Sequence, residues 1–427
     1  MKSMLTLDSI LPEVTRRPKR RRRALDAMAD EQLAPAQPSE PVKEEAPAPK
    51  AVAAKPEAAE DIISLVVDLF ADEESVLADV RRLDVSTGDR KAELVRFRLD
   101  GAQSFALPLG PSLDAGERRV VEAMSDSDAA KLMLVSGNAI SLKNGYKKLA
   151  EAITALSPAR GTMFAASDTL AAIYAPGNPA IHVLRVKSSG SVRTLTLEDL
   201  KLGGWRSISC IQVVESMLYV AVTDPVGGFD LFVCDLKKKT LKFEPVIVRG
   251  GHRFASNAMI TTMVPTETGL ILGTAALASP AERVGNWGPE VISLDHEGNW
   301  DLSFGVARFT PNGYKAPLSG ETAGVGELEN AAVQAIAHDG TNTIVAIQSF
   351  IGLPEEDRRD VVSDLLDYGG AVRLYVTKDM KSWRQISVTL PDDFGPITSL
   401  CMTKEGAFLG YESIVADKVP LHFVPIA

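Results

Sequence analysis

The chain has 427 residues, 45% hydrophobic and 24% charged, enough apolar material for a sizeable core and for more than one structural unit. A formal net charge of -10 argues against a general nucleic-acid binder, although one basic run stands apart from that average. No stretch offers the roughly 20 apolar residues needed to cross a membrane, so no transmembrane segment is expected.

Residues 1–60 divide into three pieces. Leu5, Ile10, Leu11 and Val14 suit a short docking motif, and Asp8 interrupts the start too early for a secretory core. Arg16, Arg17, Lys19, Arg20, Arg21, Arg22 and Arg23 follow, broken only by Pro18. From Ala24 to Glu60 there are 12 Ala, 6 Pro and 11 charges with no aromatic residue, a composition that predicts a disordered tether.

Between Asp61 and residue 157 the pattern predicts a small α+β unit. Ile62, Leu65, Val66, Leu69, Val76, Leu77, Val80 and Leu83 fall at helical spacing, with Asp72-Glu73-Glu74 between the two halves. Val95, Phe97 and Leu99 alternate, then Phe105, Leu107 and Leu109 after Asp100-Gly101, which predicts a hairpin. A helix over 114–124, strands over 132–135 and 139–142, and a helix over 146–156 complete this unit.

From 158 to 427 one pattern recurs five times: an apolar run, an acidic turn residue, and a second apolar run. The turns fall at Asp168, Glu215, Glu267, Asp339 and Glu405. A second hairpin follows in most copies, clearest at 182–197, 230–246, 290–304 and 372–388, and the last copy ends in Leu421–Pro425. Two hairpins every roughly 40–50 residues is the spacing of four-stranded propeller blades. The predicted fold is therefore mainly β, a propeller of about five blades behind the α+β unit and the tail.

Ser293-Leu294-Asp295-His296-Glu297-Gly298-Asn299-Trp300 resembles the Asp-box turn of sialidase-type β-propellers, with its glycine displaced by one position. Thr377-Lys378-Asp379-Met380-Lys381-Ser382-Trp383 is a shorter variant. The resemblance implies that each Asp closes its turn by local hydrogen bonds and that each Trp packs between blades. It implies architecture and no chemistry.

Candidate sites follow from loop lengths. Connections between first and second strands, and between third and fourth, are short. Every long insertion (274–289, 305–330 and 349–370) belongs to the other class of connection, which leaves a blade on the opposite face. Long loops in compact domains carry function. With the shorter loops 225–229 and 249–257 on the same face, the binding residues expected are His252, Arg253, Trp287, Arg308, Tyr314 and Lys315, aromatic and cationic anchors of the interface type. Within 349–370, Pro354 and the acids after it start a helix whose stripe is Val361, Val362, Leu365 and Leu366.

No metal site, cofactor or catalytic motif is expected. Cys210, Cys234 and Cys401 are widely spaced, and His182, His252, His296, His338 and His422 show no ligand spacing. The reading is a cytoplasmic, non-enzymatic interaction or assembly protein. Its propeller face binds a protein, and the basic arm contacts nucleic acid, an anionic surface or a docking partner. The arm would be a nuclear signal only in a eukaryotic cell. A carbohydrate-active propeller hydrolase is the first alternative, needing two carboxylates at the channel mouth. A small-ligand sensor using the channel is the second.

Overall fold

The computed structural model describes residues 62–71, 75–84, 87, 89–99, 103–108, 121–124, 131–136, 139–141, 163–167, 170–185, 193–276, 288–327, 330–349, 372–413 and 418–426. The tail with its basic run, the expected helix at 146–156, Asp168, Trp287 and the helix expected after Pro354 lie outside the described residues.

Strands pair mainly with their sequence neighbours, and every pairing between named strands is antiparallel. β1 (Ile62–Ala71), β2 (Ser75–Asp84), β3 (Arg90–Arg98) and β4 (Gln103–Pro108) form one meander, and β5 (Val121–Met124), β6 (Lys131–Ser136) and β7 (Ala139–Ser141) a shorter one. Four strands each follow in β8 (Met163–Ala166), β9 (Leu170–Tyr174), β10 (Ala180–Arg185) and β11 (Arg193–Thr196), then in β12 (Ser207–Val214), β13 (Met217–Thr223), β14 (Asp230–Asp235) and β15 (Glu244–Ile247). β16 (Met259–Thr266), β17 (Gly269–Ala275), β18 (Val291–Asp295) and β19 (Trp300–Phe304) form the next, after which β20 (Arg308–Thr310) and β21 (Gly313–Lys315) make a separate hairpin. β22 (Asn330–His338), β23 (Thr343–Ser349), β24 (Val372–Thr377) and β25 (Arg384–Ile386) precede the last strands, β26 (Ile397–Thr403), β27 (Gly406–Ser413) and β28 (Leu421–Pro425).

The expected first hairpin is present in all five copies and the second in four of them. The helical reading of 62–83 is not: those residues are a β-hairpin, Ile63 facing Leu83 and Val66 facing Val80. The reason is burial on both faces. Val76 through Arg81 are all buried, so polar alternation disappears and apolar residues fall at helical intervals by coincidence. Likewise 121–124, expected at the end of a helix, is strand β5. Over its described residues, the segment expected to be α+β consists of strands.

The core lies in layers between consecutive sheets. Along β13, Leu218, Val220 and Val222 pack toward β8–β11, whereas Tyr219 and Ala221 pack toward β16–β19. Further layers join β16–β19 to β22–β25, and β22–β25 to β26–β28. Another sets Val66, Val80, Val95 and Phe97 against Cys401 and Phe408, so the first sheet packs on the last. Burying each large aliphatic side chain in these layers contributes about 1.5–3 kcal/mol.

First strands pack beside one another in sequence: β8 with β12, β12 with β16, β16 with β22, β22 with β26, and β26 with β1. Several carry a bulge near the start, at Ser209, Thr261 and Thr398. Two of the bulged hydroxyls reach the next first strand, Thr261 donating to the Val333 carbonyl and Thr398 to that of Val66.

Candidate functional site

An antiparallel meander sorts its connections. Turns joining strands one to two and three to four leave one end of the sheet; those joining two to three, and sheet to sheet, leave the other. Neighbouring sheets keep the same sense, since the Ser167 hydroxyl at one such turn donates to the Glu215 carbonyl at the next.

At three of the short turns an acid, Asp295, Asp339 or Asp379, closes the turn by local hydrogen bonds. Asp295 accepts backbone N–H bonds from Glu297 at 2.9 Å and Asn299 at 2.8 Å. Asp379 accepts from Lys381 at 2.9 Å and Ser382 at 2.8 Å, and these bonds, that from Ser382 foremost, hold its carboxyl below the usual range. The indole N–H of Trp383 donates to Ser303 Oγ at 3.0 Å, and its ring meets Phe304 of the preceding sheet edge-on at 5.5 Å. Both features are those the Asp-box resemblance implies. A cleft of about 340 Å³ lies among these turns, lined by Glu267, Asp295, His338 and Asp379 among others. Asp295 and Asp379 are already committed to their own turns there.

The other class of connection is built differently. Glu290, completely buried, stands just before β18. Arg308 grips it with both arms, Nη1 to Oε1 at 2.8 Å and Nη2 to Oε2 at 3.0 Å. Asn257 Nδ2 donates to Oε2 at 2.8 Å, the Val306 N–H to Oε1 at 2.7 Å, and Arg253 Nη1 stands 3.3 Å from Oε1. Burial lowers the pKa of the Arg253 guanidinium, with Glu290 working in the opposite direction. Removing one partner from so buried a pair costs about 3–5 kcal/mol.

Two loops meet at this carboxylate. In 249–257 the backbone is left-handed at Arg249, Gly250, Gly251, His252 and Phe254, a conformation costing about 1–2 kcal/mol for each non-glycine residue. The segment 305–327 contains hairpin β20–β21 and a second left-handed stretch at Gly324, Val325 and Gly326. Such backbone persists where surroundings enforce it, and it concentrates at functional sites.

The structure therefore distributes the expected binding residues unevenly. Arg253 and Arg308, each 9% exposed, converge on Glu290 and hold loops rather than face solvent. His252 is half-buried in the left-handed turn. Tyr314 is exposed and packs on Phe309 with ring centres 5.0 Å apart. Lys315 pairs with Asp301 at 3.0 Å and lies over the Trp300 ring at 5.2 Å.

Of the exposed apolar residues, the sequence reading singles out Tyr314 alone. Trp205 (78% exposed), Val226, Phe254, Phe309 (82%), Tyr314 and Leu318 are the exposed large hydrophobic side chains among the described residues. Three belong to adjoining loops. Arg206, next to Trp205, bridges Asp224 at 2.6 Å and Asp230 at 2.7 Å. Asp224 Oδ1 accepts the Val226 N–H at 3.0 Å. Gly228 lies so close to the Phe254 carbonyl that an added Cβ would stand 2.5 Å from it. Gly203-Gly204-Trp205 was the available signal, since an aromatic after two glycines has no strand to bury it.

The hydrolase alternative asks for carboxylates at the channel mouth. The first strands β8, β12, β16, β22 and β26 contain no Asp or Glu, whereas β1 contains Asp68. Among the described residues no group of three His, Cys, Asp or Glu side chains is placed to hold a metal ion, and no helix is long and apolar enough to cross a membrane.

No protein-family model and no curated protein matches the sequence. Solved structures do resemble it. A prolyl endopeptidase matches at 14% identity and TM-score 0.37, over 78% of this chain and 43% of its own. The endosialidase of phage phi92 matches at 10% and 0.33, over 87% and 64%. The Cps50 (Swd1) β-propeller domain of Myceliophteria thermophila matches at 11% and 0.40, over 81% and 92%. The chain thus spans less than two thirds of the first two. The described fold is mainly β, made of antiparallel sheets, and similar in structure to β-propeller proteins.

Proposed function

We propose that this chain is a non-enzymatic interaction protein whose long-loop face binds a protein partner. One observation carries the reading. All six exposed large hydrophobic side chains among the described residues lie in sheet-to-sheet or strand-two-to-three connections, and none lies in the short turns. Scattered exposed leucines would mean little, but aromatic residues gathered on one class of loop are the composition of interface hot spots. Left-handed backbone at Arg249, His252, Phe254 and Val325 in those loops supports the same assignment.

The same reading counts seven sheets in the ring rather than five, residues 62–141 supplying two. Packing of β26 against β1, and the shared layer of Phe408 with Val66 and Val80, support this count. The basic arm at Arg16–Arg23 is the second contact, a salt-sensitive attraction to polyanions.

The test is affinity capture from native lysate with the full chain and with a Trp205→Ala, Phe254→Ala, Tyr314→Ala triple variant. These exposed positions leave folding intact, so thermal unfolding stays near that of the parent while captured proteins fall at least tenfold, as for loss of hot spots worth about 2 kcal/mol each. Undiminished capture by the variant overturns the reading. Deleting residues 16–23 tests the arm separately, by heparin retention across a salt gradient.

A further inference from the structure

We infer that Glu290 is the positioning residue of the long-loop face, joining the loops that carry Phe254 and Phe309 into one surface. The inference rests on that face being the binding surface, but its experiment needs no partner.

The geometry is specific to one short segment, Gly288-Pro289-Glu290. From the first loop, Arg253 Nη1 donates to the Gly288 carbonyl at 3.0 Å, and Asn257 Nδ2 donates both to Glu290 and, at 3.1 Å, to the Gly250 carbonyl within its own loop. From the second, Arg308 and the Val306 N–H hold the carboxylate, and the Gly324 N–H donates to the Pro289 carbonyl at 2.8 Å. Arg308 then crosses between loops, Nε donating to the Gly251 carbonyl. Gly251 leaves no slack, since an added Cβ would stand 2.9 Å from Arg308 Nη2 and 3.4 Å from Trp300. The two carboxylate oxygens are thus the common acceptors for two loops distant in sequence, and the Arg308–Gly251 bond between those loops joins residues 57 apart. Both loops hold left-handed backbone that relaxes once the anchor weakens. A ligand that settles one loop therefore settles the other through the same carboxylate.

Hydrogen–deuterium exchange on the full unliganded chain tests this. In Glu290→Gln, amides of 249–257 and 305–321 exchange faster together, by tenfold or more, while β26 and β27 remain as protected as in the parent. Arg253→Met keeps the Arg308 fork and raises exchange in 249–257 alone. A uniform rise across all sheets would mean that Glu290 only stabilises the fold, and a rise confined to one loop in Glu290→Gln would mean that the loops are independent. Either result overturns the inference. Should Glu290→Gln not fold, Arg308→Lys retains the charge while losing the fork, and the same paired response is required of it. Failure here with intact loss of capture in the triple variant would leave the interface standing and remove only the coupling.

Discussion

Asp339 and Asp379 show what single carboxylates do at the short turns. Asp379 is held below its ordinary range by the N–H groups of Ser382 and Lys381. At Asp339 burial works in the opposite direction, but bonds from Asn342 and Thr341 prevail. A depressed folded-state pKa stabilises the fold above the unfolded value, about 4, and that contribution disappears as pH falls through the folded one. The thermal midpoint should therefore decline as pH drops below about 4, and the Asp339→Asn, Asp379→Asn double variant should show a flatter decline. Identical pH profiles for parent and variant would refute the role. At the same scale, the inward turn of Arg253 and Arg308 was not legible, because nothing in a linear reading of Pro289-Glu290-Val291 says that the glutamate will be enclosed. Only the loops that fold over it make it so.

At the scale of elements, most hairpins could be read directly. Runs such as Ile208–Val214 and Met217–Val222 are too short for helices and break at an acidic turn residue. For β1 and β2 the two buried faces erase the alternation that marks a strand, and β-branched Val66, Val76 and Val80 are the remaining clue. The first strands hold a subtler repeat, Ile-Ser-Cys, Ile-Thr-Thr and Ile-Thr-Ser at 208, 260 and 397. Its middle hydroxyl is the bulged residue, and in two cases it bridges to the next sheet. Thr398→Val keeps shape and removes that bond, so it should cost about 1 kcal/mol. Exchange protection should fall selectively in β1 and β26, and denaturant melts with exchange mass spectrometry would register both. An unchanged β1 would show that the bridge is dispensable.

For the whole molecule, the decisive relation is between its first and last described sheets. β1 pairs with β27 at Ser64–Ser413 and Leu65–Glu412, and Phe408 is wholly buried in the layer they share. A chain beginning at residue 158 would bare that layer. It should aggregate, or unfold without a cooperative transition, whereas a chain beginning at residue 58 should melt like the parent. Circular dichroism melts and light scattering on both chains decide the matter. A stable, monomeric 158–427 chain would instead support a domain boundary at residue 158, where the sequence pattern places it.

That pairing also has a consequence for biosynthesis. The hydroxyl of Thr398 finds its acceptor 332 residues earlier in the chain. At the usual ribosomal pace of about 5–20 residues per second, the free edge of β1 waits roughly 20–60 s for its neighbour to be made. Throughout that interval a long apolar strand lies open to pairing with other nascent chains. Yield during expression should thus depend on elongation speed and chaperone supply more than on the stability of the finished protein.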